Sequence, residues 1–369
     1  MLRVFGSFGF AVHRETEQGT VHVTCSLLPD EAAIAAVDER ERMADVASLA
    51  PLFAPRSLVV VGASRRPRTV GHELLTSILQ GGFSGEVYAV NRHAGLIEGL
   101  PSYASVEELP HAVDLALVAV PADDVLAVVQ ACGRLGVRAL VLVTSGFGEV
   151  GSDGQGAQDE ILAAARTYGM RLVGPNCLGV VSTDPAVRLD ATFAPLPWVP
   201  GRLGLVSQSG ALGIAVLKAA APYGVGVSQF VSVGNKADVS GNDLLLYWEQ
   251  DPRTTVIALY LESFGNPRKF ARIARRVSRH KPILALKAGR TAAGQRAGLS
   301  HTAAAASSDA VVDAMFDQAG VLRMDSIEEI LEVTQVLAGS PLPAGSRVAV
   351  IGNSGGPGIW PQTRRLLAA

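Results

Sequence analysis

One histidine and one glutamate stand in settings that suit nucleophilic chemistry. His301 lies at the predicted start of a helix, where small neighbours leave its imidazole accessible, and Glu262 ends the otherwise apolar strand predicted at 255–262. A lone histidine is usually structural or solvated. A carboxylate that hydrogen-bonds one ring nitrogen, however, fixes the tautomer and leaves the other nitrogen nucleophilic. If the two residues lie at the same sheet edge, they predict a histidine nucleophile.

A short turn with two hydroxyl groups precedes another predicted helix. In the run VSQSGAL, the strand predicted at 202–207 passes into Ser209 and Gly210 and then into an Ala-rich helix that ends near Ala221. Ser207 or Ser209 would cap this helix in any case. Backbone N–H groups at a helix N-terminus also favour negative charge, so the turn could instead hold a phosphate group. The sequence leaves both roles open.

A comparable turn follows the strand predicted at 57–62, with a helix expected from about Val70. Small residues let backbone N–H groups approach a phosphate, although a glycine here can also do no more than close the turn. Three arginines beside the turn favour the anion site. The residues concerned are Gly62, Ala63, Ser64, Arg65, Arg66 and Arg68.

A nicotinamide dinucleotide is the first alternative ligand for this turn. Its usual motif is G-x-G-x-x-G with a carboxylate at the end of the second strand, which binds the ribose hydroxyls. Here the turn has one glycine, and the strand predicted at 86–91 ends in Asn91 followed by Arg92. The sequence therefore disfavours NAD and favours a phosphate-rich nucleotide bound in another way. Small polar loops at other strand ends extend the candidate site; they contain Val120, Pro121, Ser145, Pro175 and Asn176.

The elements that must position these residues are strands and helices in alternation, twice over. Continuous apolar strands separated by amphipathic helices predict parallel sheets covered on both faces. Strands are predicted at 57–62, 86–91, 114–121, 138–145 and 171–174, and again at 202–207, 226–233, 255–262, 282–287 and 320–324. The Pro-rich stretch 184–201 separates the two series and predicts a domain boundary.

The two ends of the sequence differ from this body. Residues 4–13 and 19–27 predict a hairpin, and 30–49 predicts a charged, Ala-rich helix, with no visible chemistry. Near the other end, a strand predicted at 347–352 is followed by NSGGPG and eleven more residues. A strand, a turn and the start of a helix cannot bury their own faces, so we expect a third α/β unit that is cut short.

Composition limits the remaining function classes. Of 369 residues, 48% are hydrophobic and 18% charged, which suffices for a large core and predicts some surface covered by a partner. The net charge of −2 gives no electrostatic basis for binding nucleic acid or lipid headgroups. Cys25, Cys132 and Cys177 lie far apart, which disfavours a disulfide framework and a cysteine metal site. The apolar runs are too short to cross a membrane, which predicts a cytoplasmic protein.

Ordered motifs across both series carry a family resemblance. In the first series they are VVVGASRRPRTVG, AVNRHAG, ALVAVPADDV, TSGFGE and GPNCLG. In the second they are GRLGLVSQSGAL, SVGNKADV, YLESF, KAGRT and the long run that begins AGLSHTAAAASSDAVVDAMFDQAG. From about Leu52 to Leu337 the chain resembles the CoA-binding and ligase modules of ADP-forming acyl-CoA synthetases, relatives of the succinyl-CoA synthetase α subunit.

The resemblance implies a fold and a CoA site. The α/β fold would comprise a Rossmann-like CoA-binding domain at 51–183, a Pro-rich linker at 184–201, a flavodoxin-like domain of succinyl-CoA-synthetase type at 202–339 and a truncated third α/β domain at 340–369. CoA would lie at the strand ends of the first domain, near Gly62, Ala63, Ser64, Arg65, Asn91, Val120, Pro121, Ser145, Pro175 and Asn176.

The resemblance also implies a phosphohistidine mechanism without a metal site in this chain. Phosphate attacks the acyl-CoA thioester to give acyl phosphate and CoA; His301 then takes the phosphoryl group and passes it to ADP. Glu262 would orient His301. The phosphate would be held by Ser207, Ser209, Gly210, Gly234 and Asn235. The resemblance thus implies an acid–thiol ligase.

Two departures from the family pattern bear on activity. Ala303 stands where the family usually has glycine after the His-Thr pair, and its methyl group would reduce activity by crowding the phosphoryl pocket. The ATP-grasp module, which binds ADP or ATP with Mg²⁺, is absent. We therefore expect a partner, either a β-type ATP-grasp subunit or a missing C-terminal module. Neither the acyl group nor assembly into a homo-oligomer can be read from the sequence.

The first residues carry a second, short resemblance. Residues 1–28, with Phe8-Gly9-Phe10, resemble the last strands of a GNAT-type acetyltransferase, followed by a helical linker at 29–50, but lack the motif that binds the acetyl-CoA pyrophosphate. Such domains occur fused ahead of this synthetase module. The alternative hypothesis is therefore a CoA-sensing regulatory module of a fused protein acetyltransferase whose ligase chemistry has lapsed. The presence of both His301 and Glu262 argues against it.

Overall fold

The computed structural model describes residues 12–17, 20–25, 31–93, 95–194, 198–289, 309–343, 345 and 347. The first elements are strands β1 (Val12–Glu17) and β2 (Thr20–Cys25), which form an antiparallel hairpin, and helix α1 (Glu31–Phe53). The strand predicted at 4–13 lies mostly outside the described residues, and β1 continues beyond it to Glu17.

Helix α1 is longer than predicted and ends inside the core. Its last residues include Leu49, Leu52 and Phe53, which are at most 1% exposed. Burial of these three side chains gives the helix a stable position, because large apolar side chains contribute about 2 kcal/mol each when removed from water. The stretch 29–50, predicted as a helical linker, thus lies largely in a helix that packs into the core.

A first sheet of seven strands follows. Its strands are β3 (Ser57–Val61), β4 (Glu86–Val90), β5 (Leu96–Ile97), β6 (Leu100–Tyr103), β7 (Leu115–Val118), β8 (Ala139–Leu142) and β9 (Arg171–Val173). The order is β5-β6-β4-β3-β7-β8-β9, and every pair is parallel except β5 with β6. Helices α2 (Val70–Gly81), α3 (Ala122–Leu135) and α4 (Ser152–Thr167) make three of the connections. The strand order reverses between β3 and β7, where ligands bind in open α/β sheets.

A second sheet of seven strands forms the other half. Its strands are β10 (Gly179–Ser182), β11 (Leu189–Thr192), β12 (Pro200–Ser207), β13 (Val227–Ser232), β14 (Val256–Leu261), β15 (Ile283–Lys287) and β16 (Val321–Arg323). The order is β11-β10-β13-β12-β14-β15-β16, and the last five are parallel. The described helices are α5 (Gly210–Ala220), α6 (Gly241–Gln250), α7 (Pro267–Val277), α8 (Asp309–Ala319) and α9 (Ile327–Gly339). The predicted pair of α/β sheets is confirmed.

The Pro-rich stretch differs from the prediction of a simple link. Strand β11 lies within 184–201, and β10 lies at the end of the predicted first domain, yet both belong to the second sheet, where β10 pairs antiparallel with β13. Proline prevents strand pairing only where its missing N–H is needed. All four residues of Leu189–Thr192 are buried and none is proline, so this run can pair normally.

The two halves share one continuous core. Its buried members include Leu117 and Val141 from the first sheet and Val180, Val231 and Leu259 from the second. Helix α2 packs against β11, and α1 packs against α6, β8 and β10. Within the described ranges, no helix combines the length and the apolar character that crossing a membrane requires. The strand predicted at 347–352 lies almost entirely outside the described residues.

Candidate functional site

The turn after β3 is built on two glycines that allow very close backbone packing. Gly62 has φ of +92°, and a Cβ atom there would lie 2.4 Å from the carbonyl oxygen of Ala119. A Cβ atom on Gly71, in the first turn of α2, would lie 1.9 Å from the carbonyl oxygen of Gly62. Only glycine fits these two positions without moving backbone. The turn is therefore held against both the end of β7 and the start of α2.

Asn91 supports this turn from the neighbouring strand. Its side-chain Nδ2 donates to the carbonyl oxygen of Ala63 (2.7 Å), and its Oδ1 accepts from the backbone N–H of His93 (2.8 Å). The Ser64 hydroxyl oxygen accepts from the backbone N–H of Arg66 (3.0 Å). These polar groups shape the turn, while Arg65 and Arg66 are exposed beside it and available to an anionic ligand.

The ends of β7 and β8 form the adjoining part of the same edge. The Thr144 hydroxyl donates to the carbonyl oxygen of Val120 (2.7 Å) and so joins the two loops. Pro121 and Ser145 are exposed at this edge, and Val120 is half-buried. The predicted residues of the first sheet therefore lie along one open edge, on both sides of the point where the strand order reverses.

The loop after β9 joins this edge to the second sheet. The backbone N–H of Asn235 donates to the carbonyl oxygen of Pro175 (2.9 Å), and Nδ2 of Asn176 donates to Oδ1 of Asn235 (3.3 Å). Gly234 has φ of +52°, and a Cβ atom on it would lie 2.2 Å from the carbonyl oxygen of Pro175. Residues predicted for two different ligands, CoA and phosphate, are thus in direct contact.

Glu149, which the sequence analysis did not single out, stabilises this junction. Its carboxylate accepts from the backbone N–H groups of Gly146 (2.6 Å) and Phe147 (3.2 Å) and from Nδ2 of Asn235. Burial alone would raise the pKa of Glu149, but the hydrogen bonds from Asn235 and Gly146 lower it below its usual value. Glu149 therefore stays ionised and fixes the loop after β8 to the loop after β13. The only sequence signal for it was its place in the motif TSGFGE.

The turn after β12 uses its serines to shape itself. Ser207 is 1% exposed, and its hydroxyl donates to the carbonyl oxygen of Ser209 (2.6 Å) and accepts from the Ser209 N–H (3.2 Å). The Ser209 hydroxyl accepts from the backbone N–H of Leu212 (3.3 Å) and so caps α5. A Cβ atom on Gly210 would lie 3.3 Å from Cβ of Leu178. The capping role is therefore present, and the first N–H groups of α5 lie at this edge, where an anion is favoured.

Glu262 lies next to this turn, as the strand pairing requires. Strands β12 and β14 are neighbours, with Ser207 paired to Tyr260. Oε1 of Gln208 accepts from the backbone N–H groups of Glu262 (2.6 Å) and Ser263 (2.9 Å). Gln208, the residue between the two serines, is a second position that the sequence analysis missed. His301 lies outside the described residues, as does Ala303, so its position relative to Glu262 stays a prediction.

Other nucleophiles and metals have little support in the described part of the chain. Cys132 and Cys177 are buried, and burial raises the pKa of each thiol to about 12. Neither thiol is therefore a nucleophile at neutral pH. Among the described residues, no cluster of three or more histidine, cysteine, aspartate or glutamate side chains is arranged to hold a metal ion.

Two family models match the two halves of the chain. Residues 56–183 match a CoA binding domain, and residues 200–337 match the succinyl-CoA ligase like flavodoxin domain. These matches contain the two edges described above.

Curated relatives and a solved structure extend the likeness across both halves. The α subunit of acetate–CoA ligase [ADP-forming] I from Pyrococcus furiosus is 43% identical over 316 residues, 85% of this chain and 68% of the relative. The α subunit of isoenzyme II from the same organism is 40% identical, covering 83% and 66%. The dinucleotide-forming acetyl-coenzyme A synthetase 1 of Ca. Korarchaeum cryptofilum, solved with phosphate and ADP, has a TM-score of 0.77 and 44% identity, covering 81% of this chain and 64% of that one. The chain thus spans about two thirds of each relative.

Proposed function

Because the chain belongs to the family of the ADP-forming acetate–CoA ligase α subunits, we propose that it is the CoA-binding α module of an acid–CoA ligase. The reaction interconverts acyl-CoA, ADP and phosphate with a carboxylic acid, ATP and CoA. The observation that carries the proposal is the contact between the two edges, through Asn176 with Asn235 and Pro175 with Gly234. A reaction between a CoA thioester and phosphate needs both ligands at one place.

The first step joins phosphate to the acyl group. A phosphate oxygen attacks the thioester carbonyl carbon, the C–S bond breaks, and CoA leaves as a thiolate that takes a proton. The turn Ser207–Gly210 and the start of α5 hold the phosphate in this step, together with the loop of Gly234 and Asn235. Backbone N–H groups at a helix N-terminus stabilise negative charge without having to reorganise during the reaction.

The second step moves the phosphoryl group to the protein. A ring nitrogen of His301 attacks phosphorus, the bond to the acyl oxygen breaks, and the carboxylic acid leaves as its anion. Glu262 accepts a hydrogen bond from the other ring nitrogen of His301 and fixes the tautomer. Gln208 supports this role, because its bonds to the N–H groups of Glu262 and Ser263 hold Glu262 beside the phosphate turn.

CoA lies along the carboxyl edge of the first sheet. The Gly62 turn packs closely against its neighbours, which supports a contact between the backbone of this turn and the pyrophosphate of CoA. Arg65 lies beside the turn. Asn91 acts by holding the turn. The other residues of this site are Ala63, Ser64, Val120, Pro121, Ser145, Pro175 and Asn176.

The nucleotide step belongs to a partner. We infer that phosphohistidine passes its phosphoryl group to ADP, with Mg²⁺, on a β-type ATP-grasp subunit or a C-terminal module. The α-subunit relatives support a separate subunit. A cytoplasmic location stays a prediction.

The relatives favour the ligase over a regulatory module, because those described above are named as ligases or synthetases. The GNAT-like resemblance of residues 1–28, the domain limits and the reduced activity expected from Ala303 remain predictions.

The test is mass spectrometry of the purified chain after incubation with acetyl-CoA and phosphate, with and without a β-type ATP-grasp subunit. We expect acid-labile phosphate on the wild type, none on His301→Ala and little on Glu262→Gln. His280→Ala is the control, because His280 is an exposed histidine between α7 and β15. CoA binding is followed by calorimetry. CoA binding without phosphorylation under either condition would support the regulatory hypothesis, and absence of CoA binding would contradict both.

A further inference from the structure

Lys236 extends across the end of the strand that leads into the phosphate turn. The residue follows β13, yet its Nζ donates to the carbonyl oxygen (2.9 Å) and to the hydroxyl (2.8 Å) of Ser263, which follows β14. Strand β12 lies between β13 and β14 in the sheet. The side chain of Lys236 therefore crosses the carboxyl end of β12, where the turn Ser207–Gly210 begins.

The ammonium group is connected to that turn through one hydroxyl. The Ser263 hydroxyl that accepts from Lys236 also lies 3.4 Å from Nε2 of Gln208, the residue between Ser207 and Ser209. Lys236, Gln208 and Ser263 thus form one hydrogen-bonded group at the edge that carries Glu262. The sequence analysis assigned phosphate contacts to Gly234 and Asn235 but did not consider the next residue.

The partners of Lys236 do not neutralise its charge. Both acceptors belong to Ser263 and are uncharged, and among the residues that the structure describes none forms an ion pair with Lys236. The charged groups that face it are Glu262 and Lys287, which ends β15. Burial lowers the pKa of Lys236 to about 8; the charge of Glu262 opposes this and that of Lys287 adds to it. Lys287 in turn faces the carboxylates of Glu262 and Asp309 and the guanidinium of Arg323.

We propose that Lys236 is the cation that binds the phosphate group at the Ser207–Gly210 turn. The inference rests on the proposed function, because it places the phosphate where that reaction needs it. A phosphate oxygen takes the remaining N–H of the ammonium group, while the two bonds to Ser263 keep the side chain aimed across β12. A phosphate anion at this position also favours the charged form of Lys236, which burial disfavours.

The experiment is a titration of the full chain with inorganic phosphate, by calorimetry at pH 7. We expect Lys236→Met to weaken phosphate binding by about tenfold or more, the loss of one charge-assisted hydrogen bond. Lys236→Arg keeps the charge and is expected to stay within about threefold of the wild type. Lys281→Met is the matched control: Lys281 is also half-buried and donates to a backbone carbonyl oxygen, that of Asp251 (2.6 Å), but it lies at the amino end of β15.

A pH series separates binding from a merely structural role. Deprotonation of Lys236 removes the charge, so we expect phosphate affinity of the wild type to fall as pH rises above about 8, and that of Lys236→Arg to stay flat. CoA calorimetry on each variant shows that the fold is intact. Equal phosphate affinity of wild type and Lys236→Met, or a wild type that binds no phosphate, overturns the inference, as does an unchanged pH dependence in Lys236→Arg. Phosphorylation of His301 in the same preparations tests the proposed function separately.

Discussion

Asp190 shows how one buried carboxyl group makes stability depend on pH. The residue lies on β11, is 8% exposed and accepts a hydrogen bond from the Thr192 hydroxyl (2.7 Å). Burial raises the pKa of Asp190 to about 6, against the opposing effect of the Thr192 bond. In the unfolded chain the same group ionises nearer pH 4. Folding therefore costs free energy when Asp190 is charged, so its unfavourable effect is absent at low pH and complete above about pH 6.

We predict that Asp190→Asn stabilises the protein at pH 8 by on the order of 2 kcal/mol. The asparagine keeps an acceptor for Thr192 and has no charge to bury. The advantage should shrink as pH falls through 6 and vanish near pH 4, which urea unfolding at several pH values will measure. Asp123→Asn, an exposed position on α3, is the control and should not stabilise the protein, because its charge is not buried. A stability gain that is the same at every pH would contradict a raised pKa for Asp190 in the folded protein.

At the scale of elements, capping and phosphate binding meet at the start of α5. Ser209 caps α5 through the N–H of Leu212, and Ser326 caps α9 in the same way through the N–H of Glu329 (3.1 Å). The two caps are chemically alike and lie at the same carboxyl edge of the second sheet. Ser209 lies in the turn after β12, beside the strand that leads to Glu262, whereas Ser326 follows the outermost strand β16.

We predict that Ser209→Ala and Ser326→Ala each lower the free energy of unfolding by about 1 kcal/mol. Only Ser209→Ala should also slow phosphorylation of His301, because the frayed first turn of α5 no longer fixes the phosphate turn. Chemical unfolding and time-resolved mass spectrometry of the two variants provide the comparison. Equal phosphorylation rates would remove Ser209 from the site while leaving its capping role.

Most elements could be predicted because their signals are local. The apolar run of β3 and the amphipathic pattern of α3 gave bounds within one residue of Ser57–Val61 and Ala122–Leu135. Strand β11 was missed because it is four residues long and lies in a Pro-rich stretch, and because its pairing partner β10 is another short strand that the sequence analysis did not predict. The hydrogen bond from Lys236 to Ser263 was missed for a similar reason, because it depends on which strands are neighbours in the second sheet.

At the scale of the whole molecule, Arg171 fastens the two halves together. It lies on β9, and its guanidinium binds Asp238 (2.8 Å) and Asp243 (3.3 Å) of the second half and the Ser48 hydroxyl of α1 (2.7 Å). The Arg171 side chain is 16% exposed and the two aspartates are similarly buried. Its loss would leave two carboxylates without their cation inside the interface.

We predict that Arg171→Met lowers the free energy of unfolding by about 3 kcal/mol, as expected when one partner of a buried ion pair is removed. Arg138→Met, which breaks an ion pair with Asp114 whose arginine is 56% exposed, should cost less than about 1 kcal/mol. Guanidinium unfolding followed by tryptophan fluorescence measures both. If the two variants lose similar free energies of unfolding, burial does not determine how much these two ion pairs contribute to stability.

The two antiparallel strands β10 and β11 also determine where the chain can be cut to give a stable fragment of the second half. Without them, β13 would present a row of unpaired backbone N–H and C=O groups, a template on which another polypeptide can add a strand. β10 covers that row, and β11 ends the sheet after four residues beneath α2. A fragment cut at Arg202, where the prolines suggest a hinge, would uncover β13 and aggregate. The residues that protect the edge of the second sheet therefore lie on the amino-terminal side of that cut, with β11 inside the Pro-rich stretch and β10 before it.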